Sequence, residues 1–164
     1  MTGLTRKCQY ALRALYFLAR EYGKGPILIH YISAHANAPP GFLQGILFEL
    51  KKAGVVESRR GTQGGYYLRK SPDQVTVGSI IRIIDGPLIT LPCVGESEIH
   101  PCADCHDPDA CQTRLLMRGI HEAVTAILDH TTLLPICKTP DAPEDALGAR
   151  ESQVSVAVGM FQEA

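Results

Sequence analysis

The chain has 164 residues, of which 45% are hydrophobic and 20% are charged, the composition of an ordinary globular protein. The uncharged stretch at residues 26–48 contains histidine, asparagine, glutamine and two consecutive prolines, which excludes a membrane span there. The first twenty residues carry four Lys or Arg with no apolar core between them. No secretory signal is therefore expected, and the expected location is the cytoplasm.

The net charge of −1 hides an asymmetry between the two halves of the chain. Residues 1–72 contain 11 Lys and Arg but only 3 Asp and Glu, a net charge of +8. Residues 73–164 contain 5 Lys and Arg and 14 Asp and Glu, a net charge of −9. A basic half is typical of a segment that binds a polyanion such as a nucleic acid. No catalytic triad, paired catalytic carboxylates or phosphate-binding loop is visible in the sequence, so an enzyme is not indicated.

Three helices are predicted in the basic half. Between residues 4 and 22 the apolar side chains recur every three or four positions, the spacing of one helical face. They are Cys8, Ala11, Leu12, Leu15, Leu18, Ala19 and Tyr22. A shorter helix is predicted at about residues 27–36. The third begins near Pro40, since proline suits the first turn of a helix, and is capped by Gly54. Its predicted buried face is Leu43, Ile46, Leu47 and Leu50.

A hairpin is predicted directly after the third helix, because two short β-prone runs within residues 55–69 flank a glycine-rich turn. Helices in this order followed by a hairpin make a winged helix-turn-helix. A further helix is predicted at residues 77–84, and a loop rich in proline and cysteine follows at 87–111. A long helix is predicted at residues 112–131, with an apolar stripe at Leu116, Ile120, Ala123, Val124, Ile127 and Leu128.

The predicted fold class is therefore mainly α with a small β-hairpin wing: a winged helix-turn-helix plus a long dimerisation helix. The stripe on the long helix is too apolar to face water, so we expect it to pack against its twofold mate in a homodimer. We divide the chain into a DNA-binding domain (1–86), a cluster-binding loop (87–111), the dimerisation helix (112–134) and a tail expected to be disordered (135–164).

The candidate DNA-binding residues lie on the outer face of the third helix and in the wing. Amide and ammonium groups on such a helix suit the major groove of double-stranded DNA, and arginines beside a thin glycine turn suit its backbone or minor groove. The predicted set is Gln44, Phe48, Lys51, Lys52, Arg59, Arg60, Gly64 and Gly65. A cofactor-free interaction module without a DNA role is the competing class, and the basic half argues against it.

The second constellation is the cysteine series Cys93-x8-Cys102-x2-Cys105-x5-Cys111. Thiolates are soft ligands for zinc and for iron–sulfur clusters, and a proline-rich loop gains order by wrapping a metal. The unequal spacing favours an iron–sulfur cluster, either 2Fe-2S or 4Fe-4S. A zinc site and a metal-free thiol–disulfide switch remain open alternatives. His100 and His106 in the same loop are expected to be solvent-exposed.

Two further cysteines lie outside this series. Cys8 falls on the apolar stripe of the first helix, so a core position is expected for it. Cys137 follows Pro135 and has no partner that the sequence identifies.

Several of these segments resemble the Rrf2 family of winged-helix regulators, typified by IscR and NsrR. The matching segments are LTRKCQYALRAL at residues 4–15, LKKAGVV at residues 50–56 and, in the wing, Arg60-Gly61 with Gly64-Gly65-Tyr66. The order of a cysteine loop followed by a long helix matches as well. The resemblance extends over about residues 1–134.

This resemblance implies a cytoplasmic bacterial homodimer that binds palindromic promoter DNA. It also implies that the long helix crosses its twofold mate and that three loop cysteines hold an iron–sulfur cluster. Cys93 matches the first of these cysteines, and Cys105 and Cys111 match the last two, whereas Cys102 is additional.

The sequence departs from the family at the fourth ligand. IscR-type proteins have a histidine three residues after the last cysteine, where this chain has Arg114. NsrR-type proteins use a carboxylate from the first helix of the second subunit, where this chain has Gln9. The fourth ligand is therefore left between Cys102 of the same chain and Cys8 across the dimer, with Cys102 favoured because thiolates are the better soft-metal ligands. We predict a DNA-binding regulator whose operator affinity is controlled by an iron–sulfur cluster in this loop, with Cys93, Cys102, Cys105 and Cys111 as ligands.

Overall fold

The computed structural model describes residues 4–61, 64–88, 93–94, 102, 105 and 107–137, with the side chains of 136 and 137 excepted. Four helices and a hairpin come first: α1 (Arg6–Arg20), α2 (Ile29–Ala36), α3 (Pro40–Lys52), β1 (Val56–Arg59), β2 (Gly65–Leu68) and α4 (Val77–Asp85). The long helix α5 (Gln112–His130) and a short α6 (Leu134–Cys137) follow the cysteine loop. The predicted fold class, mainly α with a two-stranded wing, is confirmed.

Helix α1 forms the centre of the core. The Thr5 side chain accepts a hydrogen bond from the Cys8 amide at 3.1 Å, which caps the first turn. One face of the helix is buried against α2, α3, α4 and β2, through Cys8, Ala11, Leu12, Ala14, Leu15, Leu18 and Ala19. Tyr22, which the pattern assigned to this face, is exposed because the helix has ended at Arg20.

Helices α2 and α3 form the helix-turn-helix. Asn37 ends α2 in the left-handed conformation, with φ of 49°, and Pro40 starts α3 as predicted. The predicted buried face of α3 is confirmed, since Leu43, Ile46, Leu47 and Leu50 are all at most 1% exposed. Gly54 follows α3 with φ of 73°, a left-handed conformation that favours glycine.

The start of α2 was predicted two residues too early. Ile27 lies outside the helix because it pairs with Tyr66 of the wing, each residue donating its amide to the carbonyl of the other at 2.9 and 2.8 Å. The wing itself pairs Val56 with Leu68 and Arg59 with Gly65 in antiparallel register. Ile27 therefore ties the α1–α2 connection to the wing.

The far end of α5 is fixed to the DNA-binding domain at several points. Arg82 of α4 donates two hydrogen bonds to the Asp129 carboxylate, at 2.6 and 3.0 Å. Beyond Asp129, the Val77 amide donates to the Thr131 carbonyl at 2.8 Å. The fully buried Leu133 donates its amide to the carbonyls of Pro72 and Val75. These bonds hold the α5 C-terminus on α4 and the turn before it.

The apolar positions of α5 divide between two faces, so the prediction of a single stripe is wrong. Leu128 packs against the core, and His121 on the same side is buried. The opposite face carries a row of exposed side chains at three- and four-residue spacing: Leu116, Ile120, Ala123 and Ile127. Leu116 and Ile127 are each 66% exposed. Among the described residues, these side chains belong neither to the buried core nor to the apolar side chains packed against it.

The predicted tail begins with the helical residues of α6, and residues 138–164 lie outside the described part of the chain. Within the described part, none of the helices combines the length and the apolar character that crossing a membrane requires.

Gly65 provides a test of how the wing packs. A β-carbon at this position meets the backbone of Ile27, and the φ of 147° is strained for other residues. We expect Gly65→Ala to destabilise the fold by about 2–4 kcal/mol. The matched control is Gly45→Ala on α3, where a β-carbon meets no atom within 4 Å and should add about 0.5–1 kcal/mol of stability. Urea unfolding measures both values, and equal stabilities would contradict this packing.

Candidate functional site

The outward face of α3 carries the four predicted DNA-binding residues of that helix. Gln44, Phe48, Lys51 and Lys52 are all exposed, on the side opposite the buried leucines and isoleucine. Phe48 is 55% exposed, and the Lys52 ammonium lies 4.6 Å from the centre of its ring. This cation–π contact holds a positive charge over an apolar ring on the helix surface.

The wing continues this positive surface. Arg59 ends β1 and Arg60 follows it, and both side chains are exposed. The Lys51 ammonium donates a hydrogen bond to the Ser58 hydroxyl at 2.6 Å, which joins the end of α3 to the first wing strand. The predicted residues of the helix and of the wing are therefore on connected elements.

Glycine is required at positions 64 and 65 for a packing reason that the sequence analysis did not identify. A β-carbon on Gly64 meets the carbonyl groups of Arg59 and Gly61, and one on Gly65 meets the Ile27 backbone. Gly64 is buried rather than presented at the surface. Both glycines are needed for the close approach of neighbouring backbone inside the wing, whether or not DNA approaches them.

A shallow pocket of about 430 Å³ beside the wing was not anticipated from the sequence. Its lining includes the cationic Lys24 and Arg59 and the exposed ring of Tyr31, together with Pro26, Ile27, Leu28 and Gly64. The pocket lies where Ile27 pairs with the wing, and a single bridging residue produces no periodic signal in a sequence. Phe42, at the start of α3, is also 48% exposed and contacts the ring of Tyr10 edge-on.

The described cysteines of the loop are all free thiols. Cys102 is exposed, whereas Cys93, Cys105 and Cys111 are partly buried. The Cys105 amide donates to the Cys102 carbonyl at 3.0 Å, so these two residues form a tight turn. Burial raises the pKa of the Cys105 thiol, and the Cys102, Cys111 and Cys93 thiols raise it further, because nearby negative charge disfavours deprotonation.

Arg114 connects the two ends of this loop. Its guanidinium donates one hydrogen bond to the Cys93 carbonyl at 3.2 Å and another to the Pro108 carbonyl at 2.9 Å. It also pairs with the Asp109 carboxylate at 2.9 Å, while its own side chain is only 14% exposed. The residue at the family's histidine position therefore holds the main chain at the first cysteine of the series and between the last two.

The donor chemistry of the loop fits an iron–sulfur cluster or zinc, because four thiols are the soft ligands that both accept. Their side chains are not gathered into a finished site: among the described residues, no three His, Cys, Asp or Glu side chains are arranged to hold a metal ion. His100 and His106 lie outside the described residues, as does the Cys137 side chain.

Cys8 has the core position that its place on α1 predicted, with an exposure of 0%. Burial raises the pKa of its thiol to about 12, and the Asp85 carboxylate, which the thiol contacts by a hydrogen bond, adds to this shift. Asp85 also accepts hydrogen bonds from the Thr5 amide and hydroxyl. A neutral thiol enclosed in this network is a poor metal ligand, because a metal binds the thiolate.

A helix-turn-helix, a two-stranded wing and exposed cations along both define a winged-helix protein that binds DNA. Residues 4–139 match the profile of the Rrf2 family, described as iron-dependent transcriptional regulators, and the chain belongs to this family.

Named relatives agree with this assignment. The chain is 41% identical over 133 residues to an HTH-type transcriptional regulator of Rhodobacter capsulatus described as rrf2-like, a match that covers 79% of this chain and 89% of that protein. It is similar to the structure of CymR, the global cysteine regulator of B. subtilis, with a TM-score of 0.71 and 33% identity over 86% of this chain and 100% of that one. The structure of T. potens IscR matches with a TM-score of 0.63 and 26% identity, over 95% and 96% of the two chains. The chain is thus a DNA-binding transcriptional regulator and not an enzyme.

Proposed function

We propose that this chain is a homodimeric regulator whose affinity for operator DNA depends on an iron–sulfur cluster held in the cysteine loop. The proposal assigns DNA contact to the six exposed side chains of α3 and the wing, Gln44, Phe48, Lys51, Lys52, Arg59 and Arg60, while Gly64 and Gly65 shape the wing that presents the arginines. Its support is the exposure of the six side chains and the +8 charge of residues 1–72. In this arrangement α3 enters the major groove and the wing arginines contact the backbone.

The proposed dimer interface is the outer row of α5. Leu116, Ile120, Ala123 and Ile127 repeat at the spacing by which two helices pack along a shared seam. A contiguous row of this kind, 39–66% exposed at its three large side chains, is typical of a surface that a partner covers. A second copy of α5 offers the same row, as a twofold interface requires.

The observation that carries the cluster proposal is the double contact of Arg114. By holding the Cys93 carbonyl and the Pro108 carbonyl at once, it ties Cys93 to the segment that leads into Cys111. The hydrogen bond between Cys105 and Cys102 does the same for the middle of the series. Cys93, Cys102, Cys105 and Cys111 would hold the cluster, which supplies redox-sensitive cross-links between these thiolates when it is bound.

The burial of Cys8 supports Cys102 as the fourth ligand. Cys8 is fully enclosed by its own subunit and is hydrogen-bonded to Asp85, so reaching a cluster on a second subunit requires the core of α1 to open. Cys102 is exposed and belongs to the same loop as the other three cysteines.

A second candidate is a regulator of the same fold controlled by zinc or by a thiol–disulfide switch. The specific observation in its favour is the contact between Cys102 and Cys105, a Cys-x-x-Cys pair with one exposed thiol. The similarity to CymR, described as a global cysteine regulator, is compatible with it. In such a switch the two thiols give two electrons and two protons to a peroxide as they form a disulfide.

The DNA surface predicts a particular salt dependence. We expect the logarithm of the binding constant for a promoter duplex to fall linearly with the logarithm of salt concentration. The reason is that Lys and Arg side chains that neutralise phosphates release the counterions condensed on the DNA. Replacing Arg59 and Arg60 together by alanine should reduce that slope by about one to two units. The control replaces Arg69 and Lys70, which removes the same charge at the base of the hairpin. We expect this control to keep the wild-type slope. If the Arg59 and Arg60 double variant keeps it as well, the wing does not contact the phosphates.

If the outer row of α5 forms the dimer interface, a charged side chain at the centre of this row should make the protein monomeric. Ile120→Glu buries an unpaired carboxylate between the two α5 helices, so we expect dimerisation to weaken by about a hundredfold or more. Leu115→Glu makes the same chemical change off the seam and should leave the dimer intact. Sedimentation at micromolar concentration measures both variants. A monomeric wild type, or a dimeric Ile120→Glu variant, overturns this interface.

The cluster assignment is tested by the visible spectrum of protein purified without oxygen. We expect Cys93→Ser, Cys105→Ser and Cys111→Ser each to abolish the cluster absorbance, and Cys102→Ser to leave a labile cluster with an altered spectrum. Cys8→Ser should keep the spectrum and lower stability slightly. If Cys102→Ser leaves the cluster absorbance unchanged and Cys8→Ser abolishes it, Cys8 of the second subunit would be favoured as the fourth ligand instead. Colourless wild-type protein would contradict the cluster assignment. Stoichiometric zinc in that protein would favour the zinc site, and the absence of metal would favour the thiol–disulfide switch.

A further inference from the structure

Arg114 is buried in a way that helix stability does not require. It lies in the first turn of α5, where an arginine is ordinarily free to extend into solvent, yet its side chain is only 14% exposed. Its carboxylate partner Asp109 is 96% exposed, so the ion pair itself contributes little to stability. The contacts that account for the burial are the two main-chain carbonyls of Cys93 and Pro108.

These carbonyls belong to distant parts of the cysteine series. Cys93 is the first cysteine of the series and is far from α5 in sequence, whereas Pro108 lies between the last two cysteines, in a turn that leads into Cys111. That turn is defined by the Asp107 carboxylate, which accepts hydrogen bonds from the amides of Asp109 and Ala110 at 2.9 and 3.3 Å. A planar guanidinium donates from separate nitrogens in fixed directions and so holds both segments of chain at once, whereas an ammonium group has its three donors on a single rotating nitrogen.

We infer that Arg114 is a positioning residue with two actions. First, it closes the cysteine loop in the metal-free chain, so that Cys93 and Cys111 are held near each other before any cofactor arrives. Second, its positive charge offsets part of the negative charge of the loop thiolates once they bind a cluster. The second action rests on the proposed function, whereas the first does not.

The charge argument follows from the donor set. A cluster with four thiolate ligands carries one more negative charge than a cluster with three thiolates and a neutral histidine. This chain has an additional cysteine in the loop, Cys102, and a cation in place of the histidine, Arg114. The two departures from the family pattern would therefore offset each other in charge. The guanidinium, whose carboxylate partner Asp109 is 96% exposed to solvent, would stabilise the more negative, reduced form of a bound cluster.

The first action is tested by hydrogen exchange on the reduced, metal-free full-length chain. We expect the amides of Asp109 and Ala110 to exchange about tenfold faster or more in Arg114→Gln and in Arg114→Lys, because neither side chain reproduces the two-nitrogen fork that donates to both carbonyls. The matched control is Arg118→Gln, one turn further along α5, where the arginine is exposed and pairs only loosely with Glu122 at 3.7 Å. Amides in the core of α1 report whether each variant is folded. Wild-type exchange rates in folded Arg114→Gln would refute the loop closure.

The second action is tested by the reduction potential of the cluster after anaerobic reconstitution. Arg114→Gln should make the potential more negative, because the reduced form loses a nearby positive charge, whereas Arg114→Lys and Arg118→Gln should stay close to the wild type. We expect Arg114→Lys to keep the wild-type reduction potential but to lose the slow amide exchange of Asp109 and Ala110. This combination distinguishes the effect of the positive charge from the effect of the two hydrogen bonds. An unchanged potential in Arg114→Gln overturns the charge role. If wild-type protein takes up no cluster, the proposed function fails, while the exchange experiment still decides the loop closure.

Discussion

The buried face of α1 is the constraint on which the other elements depend. Its apolar side chains pack against α2, α3, α4 and β2, so both halves of the helix-turn-helix and the root of the wing share one core. Helix α3 can expose a face of glutamine, phenylalanine and lysine because its opposite face is held by this packing. The loss of one large side chain at this centre costs about 2–5 kcal/mol, a large part of the stability of a domain of this size.

The same core gives the wing a defined orientation. A two-stranded hairpin is only marginally stable in water, yet this one pairs with Ile27 on one side and is joined to α3 by Lys51 and Ser58. Arg59 and Arg60 are therefore carried on a supported strand end rather than on a free ribbon. Support of this kind lowers the entropy that the wing loses when it binds a surface.

Sequence patterns predicted the parts of this fold that depend on periodicity. The buried faces of α1 and α3 were recognised because apolar residues repeat at helical spacing, and Pro40 marked the start of α3. The pairing of Ile27 with Tyr66 was missed because one bridging residue has no period. The two faces of α5 were merged because spacing alone does not tell whether an apolar residue meets its own chain or another. The contacts of Arg114 join segments that only the folded loop brings together.

The attachment of α5 has a mechanical consequence. Its C-terminal end is bonded to the DNA-binding domain through Asp129 and Thr131, whereas its N-terminal end receives the cysteine loop through Arg114. The helix between these points is roughly 25 Å long, at about 1.5 Å per residue. A displacement of about 3 Å at the loop end corresponds to a rotation of about 7° around the fixed end of a rod of that length. A movement of the loop end of α5 would therefore reach α4 through the Arg82–Asp129 pair and the main-chain bond at Thr131.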